Sequence, residues 1–167
     1  MKKKILTTVF LITGFLFLTL GQKSVFPDAD LLTLDGKTIQ STELFKGESP
    51  IILVFWKTYE KDCCKHISSL IEAHEDLLDT VNARLVCICV DCIGQTHHIK
   101  PFVDGNGWDC EVYIDKNGEF KRAMAVNNTP YTILYYNQKI ICRYNGYCSG
   151  TEDMICTKLK HCLALND

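Results

Sequence analysis

The chain carries no excess of charge of either sign. Lys and Arg total 18 and Asp and Glu total 20, which gives a formal net charge of -2 over 167 residues. Nucleic-acid-binding domains typically present a strongly basic surface, so this composition argues against a nucleic-acid partner. Repeats and low-complexity segments are also absent. The length is sufficient for one domain with its own hydrophobic core.

The motifs of several chemistries are missing too. The sequence contains no phosphate-binding loop, dinucleotide fingerprint or Ser-His-Asp arrangement. Cys89-Val-Asp-Cys92 has the two-residue spacing of a zinc half-site, and His97-His98 follow it. A second half of Cys or His at matching spacing is lacking, which argues against zinc. We therefore predict neither a metal nor a cofactor.

Cysteine, in contrast, is abundant. All ten cysteines follow Gln22, at positions 63, 64, 87, 89, 92, 110, 142, 148, 156 and 162. An oxidising compartment would permit disulfides among them. Several lie within apolar strand-like runs, where cysteine usually serves as a small buried hydrophobe. The sequence leaves the connectivity open.

The N-terminus has the composition of an export signal. Lys2-Lys3-Lys4 precede an uncharged apolar run from Ile5 to Leu20, and small residues follow before Gln22. The run is short for a membrane span, which needs roughly 20 residues. A lipoprotein signal would need a cysteine in place of Gln22. The predicted divisions are a signal peptide over 1–21, a linker over 22–28 and one domain over 29–167. We expect export to the periplasm or cell envelope, or membrane anchoring if the signal segment is retained.

The centre of the chain predicts a strand followed by a helix. Ile51 to Trp56 is apolar without alternation, as in a strand buried on both faces. A short polar loop leads to Cys63-Cys64, where an amphipathic helix is predicted to run to about Asn82 with Asp62 as its N-cap. Because a helix N-terminus favours negative charge, a thiolate is expected there.

The remaining elements predict an α/β fold. Arg84 to Asp91 indicates a second buried strand, and Gln95 to Asn106 a second helix. A hairpin is predicted near Asp35-Gly36, another from Tyr131 to Tyr144, and a last helix from Thr151. This order predicts a mixed sheet with helices on both faces. Functional sites in such sheets lie at the carboxyl ends of the strands.

This order of motifs resembles the thioredoxin-like fold, and more closely the exported TlpA/ResA-type thiol–disulfide oxidoreductases. The residues that carry the resemblance are Leu31 to Gly36, Leu44 to Gly47, Val54-Phe-Trp56, Trp108, Asp115 with Gly118, and Thr129-Pro130. The resemblance implies a three-layer sandwich with an N-terminal β-hairpin, and a cis-proline at Pro130. It also implies a groove shaped by Trp56, Tyr59, Thr129 and Pro130. The implied partner is a protein thiol or disulfide, presented on an extended peptide segment.

The chain departs from that family at its redox motif. Where the family has Cys-x-x-Cys, this chain has Glu60-Lys-Asp-Cys63. Glu60 therefore falls on the exposed nucleophile and Cys63 on the buried resolving thiol. Dithiol exchange needs two thiols, and the charge of Glu60 is expected to raise the pKa of a neighbouring thiol.

Three hypotheses follow for the altered site. In the first, Cys63 or Cys64 attacks a disulfide and another thiol resolves, with Cys92 or the Cys89–Cys92 pair as candidates. In the second, Cys64 alone acts as in peroxidases, although Lys57 and Lys61 stand where those chains carry Pro and Thr. In the third, catalysis is lost and the groove binds an extended peptide by strand addition.

Overall fold

A seven-stranded mixed sheet forms the centre of the molecule. The computed structural model describes residues 26–91 and 96–164, and for residues 74–81 it describes the backbone only. The strands are β1 (Asp30–Thr33), β2 (Thr38–Gln40), β3 (Ile51–Trp56), β4 (Arg84–Cys89), β5 (Glu111–Ile114), β6 (Tyr131–Tyr136) and β7 (Lys139–Asn145). Their order across the sheet is β2-β1-β5-β4-β3-β6-β7. β3, β4 and β5 run parallel, and the other neighbouring pairs are antiparallel.

Helices cover both faces of this sheet. They are α1 (Lys61–Val81), α2 (Ile99–Gly105), α3 (Glu119–Ala123) and α4 (Thr151–Ala164), and a 3-10 turn spans Ser41–Phe45. Residues of α1, α2 and α4 pack on one face of the sheet. Residues of the 3-10 turn and α3 pack on the other. The predicted α/β thioredoxin-like sandwich, with its N-terminal hairpin β1–β2, is confirmed.

The two central strands explain why both faces are apolar. Along β3, Ile52, Val54 and Trp56 belong to the core under α1, whereas the alternate residues belong to the opposite core. All six residues of β3 are buried. Successive strand residues point to opposite faces, so a strand between two helical layers must be apolar throughout. The run from Ile51 to Trp56 meets that requirement.

Several predicted boundaries are wrong by a few residues. Helix α1 begins at Lys61, so Asp62 lies in its first turn and is not the N-cap. The main-chain carbonyl of Glu60 accepts the first bonds, from the amides of Cys63 (3.0 Å) and Cys64 (3.3 Å). Helix α2 begins only at Ile99. The short helix α3 was not among the predicted elements.

The predicted linker is also too long at its C-terminal end. Phe26 is buried and stacks on Phe45 with 3.5 Å between ring centroids. The carbonyl of Pro27 accepts a 2.8 Å hydrogen bond from the Ser41 hydroxyl. The packed domain therefore includes Phe26, ahead of the predicted start at residue 29. The predicted signal peptide over 1–21 lies outside the described residues. Within the described residues, no helix has the length and hydropathy needed to span a membrane.

Candidate active site

The end of β3 and the start of α1 meet the beginning of β6 at one edge of the sheet. β3 pairs with β6 in antiparallel register, with Phe55 opposite Tyr131. The loop after Trp56 therefore lies beside Thr129-Pro130, whose peptide bond is cis. Glu60 and Cys63 therefore lie next to Thr129, which is 69 residues beyond Glu60 in the sequence.

Glu60 is the most highly connected side chain of the site. One carboxylate oxygen accepts hydrogen bonds from the Thr129 hydroxyl and from the Cys63 thiol (3.3 Å). The other accepts a 3.2 Å bond from the Lys57 ammonium. Burial by itself would raise the pKa of Glu60, but the hydrogen bonds from Thr129, Cys63 and Lys57 outweigh it and lower that pKa. The side chain is therefore a fixed negative charge next to the cis peptide.

Cys63 lies beneath this carboxylate and is fully buried. Burial, followed by the hydrogen bond to Glu60 and its charge, raises the pKa of the Cys63 thiol to about 12. The expectation that the helix N-terminus would favour a thiolate here is wrong, because desolvation outweighs the dipole. The expectation that Glu60 would raise the pKa of a neighbouring thiol is confirmed in direction. Cys63 donates a hydrogen bond to Glu60 and has no access to solvent, which opposes a role as an attacking nucleophile.

Cys64 is the more accessible thiol of the pair. It is half-buried, and its sulfur lies 3.9 Å from the carbonyl oxygen of Thr58. Burial raises the pKa of Cys64 as well. Consecutive helix residues point in different directions, so Cys63 and Cys64 face different surroundings. The candidate resolving thiol Cys92 lies outside the described residues.

The two aromatic residues expected in the groove have different positions. Trp56 is fully buried, and its ring packs against Phe102 and Trp108 at centroid distances of 5.9 and 5.1 Å. It is a core residue, so its predicted role in shaping the groove is wrong. Tyr59 is 62% exposed, and the Lys57 ammonium lies 5.4 Å from the centre of its ring. Tyr59 therefore remains available at the surface beside the site.

A second polar cluster, which the sequence analysis did not predict, supports the loop after β3. The buried Asp91 carboxylate accepts hydrogen bonds from the Thr58 amide (3.0 Å) and hydroxyl (2.5 Å). The Nε2 atom of His98 lies 3.1 Å from both Asp91 and the Thr58 hydroxyl. Asp91 lies two residues after the end of β4, beside the end of the parallel strand β3, and this position was the signal for Asp91 in the sequence. The sequence pattern around His98 suggested only a possible metal ligand.

Two adjoining surface grooves border the site. The first has a volume of about 480 Å³ and contains Glu60 and Thr129, together with Lys57, Lys61, Asp62, Asn127 and Asn128. The second, of about 670 Å³, shares Asn127 with it and carries the cations Lys116, Lys121 and Arg122. No ion pair joins these three cations to a carboxylate of residues 26–91 or 96–164. A groove whose two lysines balance its two carboxylates thus continues into a basic one.

Comparison with known proteins identifies the family. Residues 23–147 match the model of the AhpC/TSA family. The chain belongs to the AhpC/TSA family. An uncharacterized thioredoxin-like protein from Porphyromonas gingivalis is 34% identical, with 83% of this chain and 91% of that chain covered and a TM-score of 0.73.

Other solved structures share the fold at lower identity. A thiol-disulfide oxidoreductase from Bacteroides fragilis is 18% identical, with 81% of this chain and 96% of that chain covered and a TM-score of 0.65. A secreted disulfide oxidoreductase from Mycobacterium tuberculosis is 17% identical, with coverage of 80% and 95% and a TM-score of 0.64. No curated protein matches the chain. The AhpC/TSA chain therefore has a thioredoxin-like fold of the kind found in thiol–disulfide oxidoreductases.

Proposed function

We propose that this chain is an exported, thioredoxin-like peptide-binding protein in which thiol exchange at the first-cysteine position is lost. The observation that carries the proposal is the Glu60 carboxylate, which is held beside the cis Thr129–Pro130 peptide by three hydrogen-bond donors. A carboxylate cannot form the mixed disulfide on which exchange depends. The site therefore keeps the groove of the family without its attacking sulfur.

Strand addition is the binding mode that the groove favours. No backbone hydrogen bond joins Thr129 to another described residue. Its amide and carbonyl are therefore available to an extended peptide, which binds through such main-chain groups. Exposed Tyr59, next to Glu60 in the chain, offers an apolar contact. The groove that contains Glu60 and Thr129 lies beside the start of α1.

The charges near the groove favour an acidic partner segment. An extended peptide that leaves the Glu60 groove past Asn127 enters the second groove, where Lys116, Lys121 and Arg122 lie. Complementary charge on a partner increases the association rate and the selectivity more than the affinity. We expect peptides with acidic residues toward this end to be preferred.

Selection from a random, cysteine-free peptide library on the immobilised chain tests the proposal. Acidic peptides should be enriched. Their affinity should fall by roughly threefold to tenfold when Lys121→Glu and Arg122→Glu are combined, since exposed ion pairs contribute about 0.2–1 kcal/mol each. Lys139→Glu on strand β7 is the matched control and should leave the affinity unchanged. No enrichment from this library, together with capture from a parallel cysteine-containing library through a mixed disulfide, would overturn the proposal.

Thiol–disulfide exchange through Cys64 is the second candidate function. It is favoured by the partial exposure of Cys64, with Cys92 as the proposed resolving thiol. The raised pKa of Cys64 opposes both this function and a single-cysteine peroxidase, because each needs a thiolate. Free-thiol titration with and without a mild reductant, followed by mass-spectrometric mapping, tests it. A reducible link that includes Cys63 or Cys64 supports exchange, and two permanently free thiols exclude it.

Export rests on the N-terminal sequence. The basic residues and the apolar run within 1–21 are the support for a cleaved signal. The mass of the mature protein recovered from the cell envelope tests this assignment. A chain that begins at Gln22 is expected, whereas an intact N-terminus in the membrane fraction would favour the retained anchor.

A further inference from the structure

A pair of thiols away from the Glu60 groove lies in direct contact. The sulfur of Cys110 is 3.7 Å from that of Cys87. Cys87 is in the middle of β4, and Cys110 immediately precedes β5. The parallel register places Cys87 opposite Val112. Because Cys110 and Val112 are two residues apart, they share a face of the sheet with Cys87.

The geometry permits a covalent bond after a small adjustment. A disulfide needs a sulfur–sulfur distance of about 2.05 Å, so the two sulfurs must approach further. Cys110 lies outside the strand ladder, before its first residue Glu111. Its side chain and backbone can therefore adjust without breaking a pairing between β4 and β5.

The two thiols differ in accessibility. Cys87 is fully buried, whereas Cys110 is half-buried at the edge of the same core. An external reagent reaches Cys110 first. Cys87 then needs no access to solvent, because its reaction partner is already in contact with it. The hydrogen bond from Cys110, together with burial, raises the pKa of Cys87. Because Cys87 is then mostly un-ionised, it reacts only with a sulfur that is already in contact with it.

We propose that Cys87 and Cys110 form an intramolecular disulfide by exchange with an external low-molecular-weight disulfide. The Cys110 thiolate attacks one sulfur of that disulfide, and a mixed disulfide forms as the first small thiolate leaves. Cys87 then attacks the Cys110 sulfur, and its proton passes to the second small thiolate as that thiolate leaves. Two protein thiols are oxidised, and one external disulfide is reduced to two thiols.

The bond would close a loop over residues 87–110. This loop contains Asp91 and His98, whose hydrogen bonds support the segment after β3. The pair does not involve Glu60 or Cys63, so this inference is independent of peptide binding. Closing a loop of this length limits the unfolded chain and stabilises the folded one. The pair would thus act as a covalent clamp on the crossover between β4 and β5.

Oxidation of the purified full chain with oxidised glutathione tests the clamp. After alkylation and digestion, mass spectrometry should find a peptide in which Cys87 and Cys110 are linked. The oxidised protein should melt about 5–10 °C higher than the reduced protein. The gain should vanish in Cys110→Ser and in Cys87→Ser, and it should persist in the matched control Cys156→Ser.

Two results would overturn the inference. One is a glutathione adduct on Cys110 with Cys87 still free after prolonged oxidation. The other is a link from Cys110 to any cysteine other than Cys87. Both are read on the wild-type chain, so the test does not depend on the folding of a variant.

Discussion

Two buried cysteines, Cys63 on helix α1 and Cys87 on strand β4, contact side chains of different chemistry. Cys63 faces the carboxylate of Glu60 at 3.3 Å, whereas Cys87 faces the thiol of Cys110 at 3.7 Å. Both have raised pKa values, and neither is exposed. The two thiols differ in what they can form with the neighbouring group. A carboxylate can only accept a hydrogen bond from a thiol, whereas a second thiol can form a disulfide with it. The chemistry of a buried thiol is therefore set by its nearest partner.

The first prediction replaces the carboxylate next to Cys63 with a thiol, so that Cys63 has a sulfur neighbour as Cys87 does. Glu60→Cys should restore the family's Cys-x-x-Cys spacing and produce dithiothreitol-dependent reduction of insulin, a reaction that we expect the wild-type chain to lack. The physical reason is that exchange needs a second thiol to release the mixed disulfide. Turbidity of reduced insulin provides the measurement.

Two controls accompany this variant. Glu60→Ser removes the carboxylate without adding a thiol, and it should stay inactive. Combining Glu60→Cys with Cys63→Ser should also stay inactive, because the resolving thiol of the Cys-x-x-Cys spacing is removed. A folded but inert Glu60→Cys protein would contradict the assignment of Glu60 to the first-cysteine position.

The second prediction concerns the reactivity of Cys63 in the wild-type protein. A thiol with a pKa of about 12 is roughly 10³-fold less ionised at pH 7 than a peptide thiol of pKa about 8.5. Iodoacetamide should therefore label Cys63 at least that much more slowly than exposed Cys148. Between pH 7 and 9 the rate should keep rising tenfold per unit. Labelling at the speed of Cys148 would contradict the burial of Cys63.

The third prediction separates burial from the effect of Glu60. His66 lies one turn beyond Cys63 in α1, and its Nε2 atom is 2.7 Å from the Thr132 hydroxyl. Burial lowers the pKa of His66 to about 4. As the pH falls below about 6.5, the side chain of His66 takes up a proton in the unfolded chain but not in the folded one. The free energy of unfolding should therefore decrease by about 2 kcal/mol between pH 7 and pH 5. Urea unfolding measures the loss.

The control for this prediction is His66→Gln, which keeps a polar group near Thr132 but cannot titrate. Its stability should change less over the same pH interval, in proportion to the contribution of His66. If the free energy of unfolding depended on pH equally in the variant and the wild type, burial would not control the protonation of His66.

The fourth prediction isolates the charge of Glu60. Glu60→Gln keeps the size of the side chain but removes the negative charge beside the Cys63 sulfur. The pKa of Cys63 should fall, and its labelling rate should rise roughly threefold to tenfold. Asp62→Asn, in the first turn of the same helix, is the matched control. A rate unchanged by Glu60→Gln would mean that burial alone protects Cys63.

The smallest expected effect concerns the link between Glu60 and the cis peptide. Thr129→Val removes the hydroxyl that donates to Glu60 and should lower the free energy of unfolding by about 1 kcal/mol. Thr129→Ser keeps the donor and should remain close to the wild type. If the valine and serine variants unfold at the same urea concentration, this hydrogen bond makes no net contribution.

Sequence patterns were sufficient where burial decides the structure. The continuous apolar run from Ile51 to Trp56 predicted a strand covered on both faces. The resemblance predicted that the loop after Trp56 lies near Thr129–Pro130, and the Thr129 hydroxyl contacts Glu60 there. The patterns failed for the ionisation state of the Cys63 thiol, where two effects compete. A helix N-terminus stabilises a nearby negative charge by typically 0.3–1 kcal/mol, whereas burial shifts pKa values by up to 3–5 units. The burial of Cys63 was implied only by its alignment with the family's buried resolving thiol, because no local pattern in the sequence measures it.

Contacts between distant segments were also beyond sequence reasoning. The Asp91–His98 cluster depends on how the crossover after β4 returns to the end of β3. The contact between Cys87 and Cys110 depends on the register of two parallel strands. A shift by one residue would turn one thiol to the other face of the sheet. Such registers are set by packing and not by the spacing of cysteines.

The ends of the sheet have a consequence for self-association. Its two outer strands are β2, which has only three residues, and β7, which carries exposed Lys139 and Arg143. A register shift between Leu134 and Tyr135 also interrupts the pairing of β6 with β7. Short strands, outward charges and bulges hinder edge-to-edge joining of sheets. These three features therefore oppose strand pairing between the outer edges of two copies of the chain.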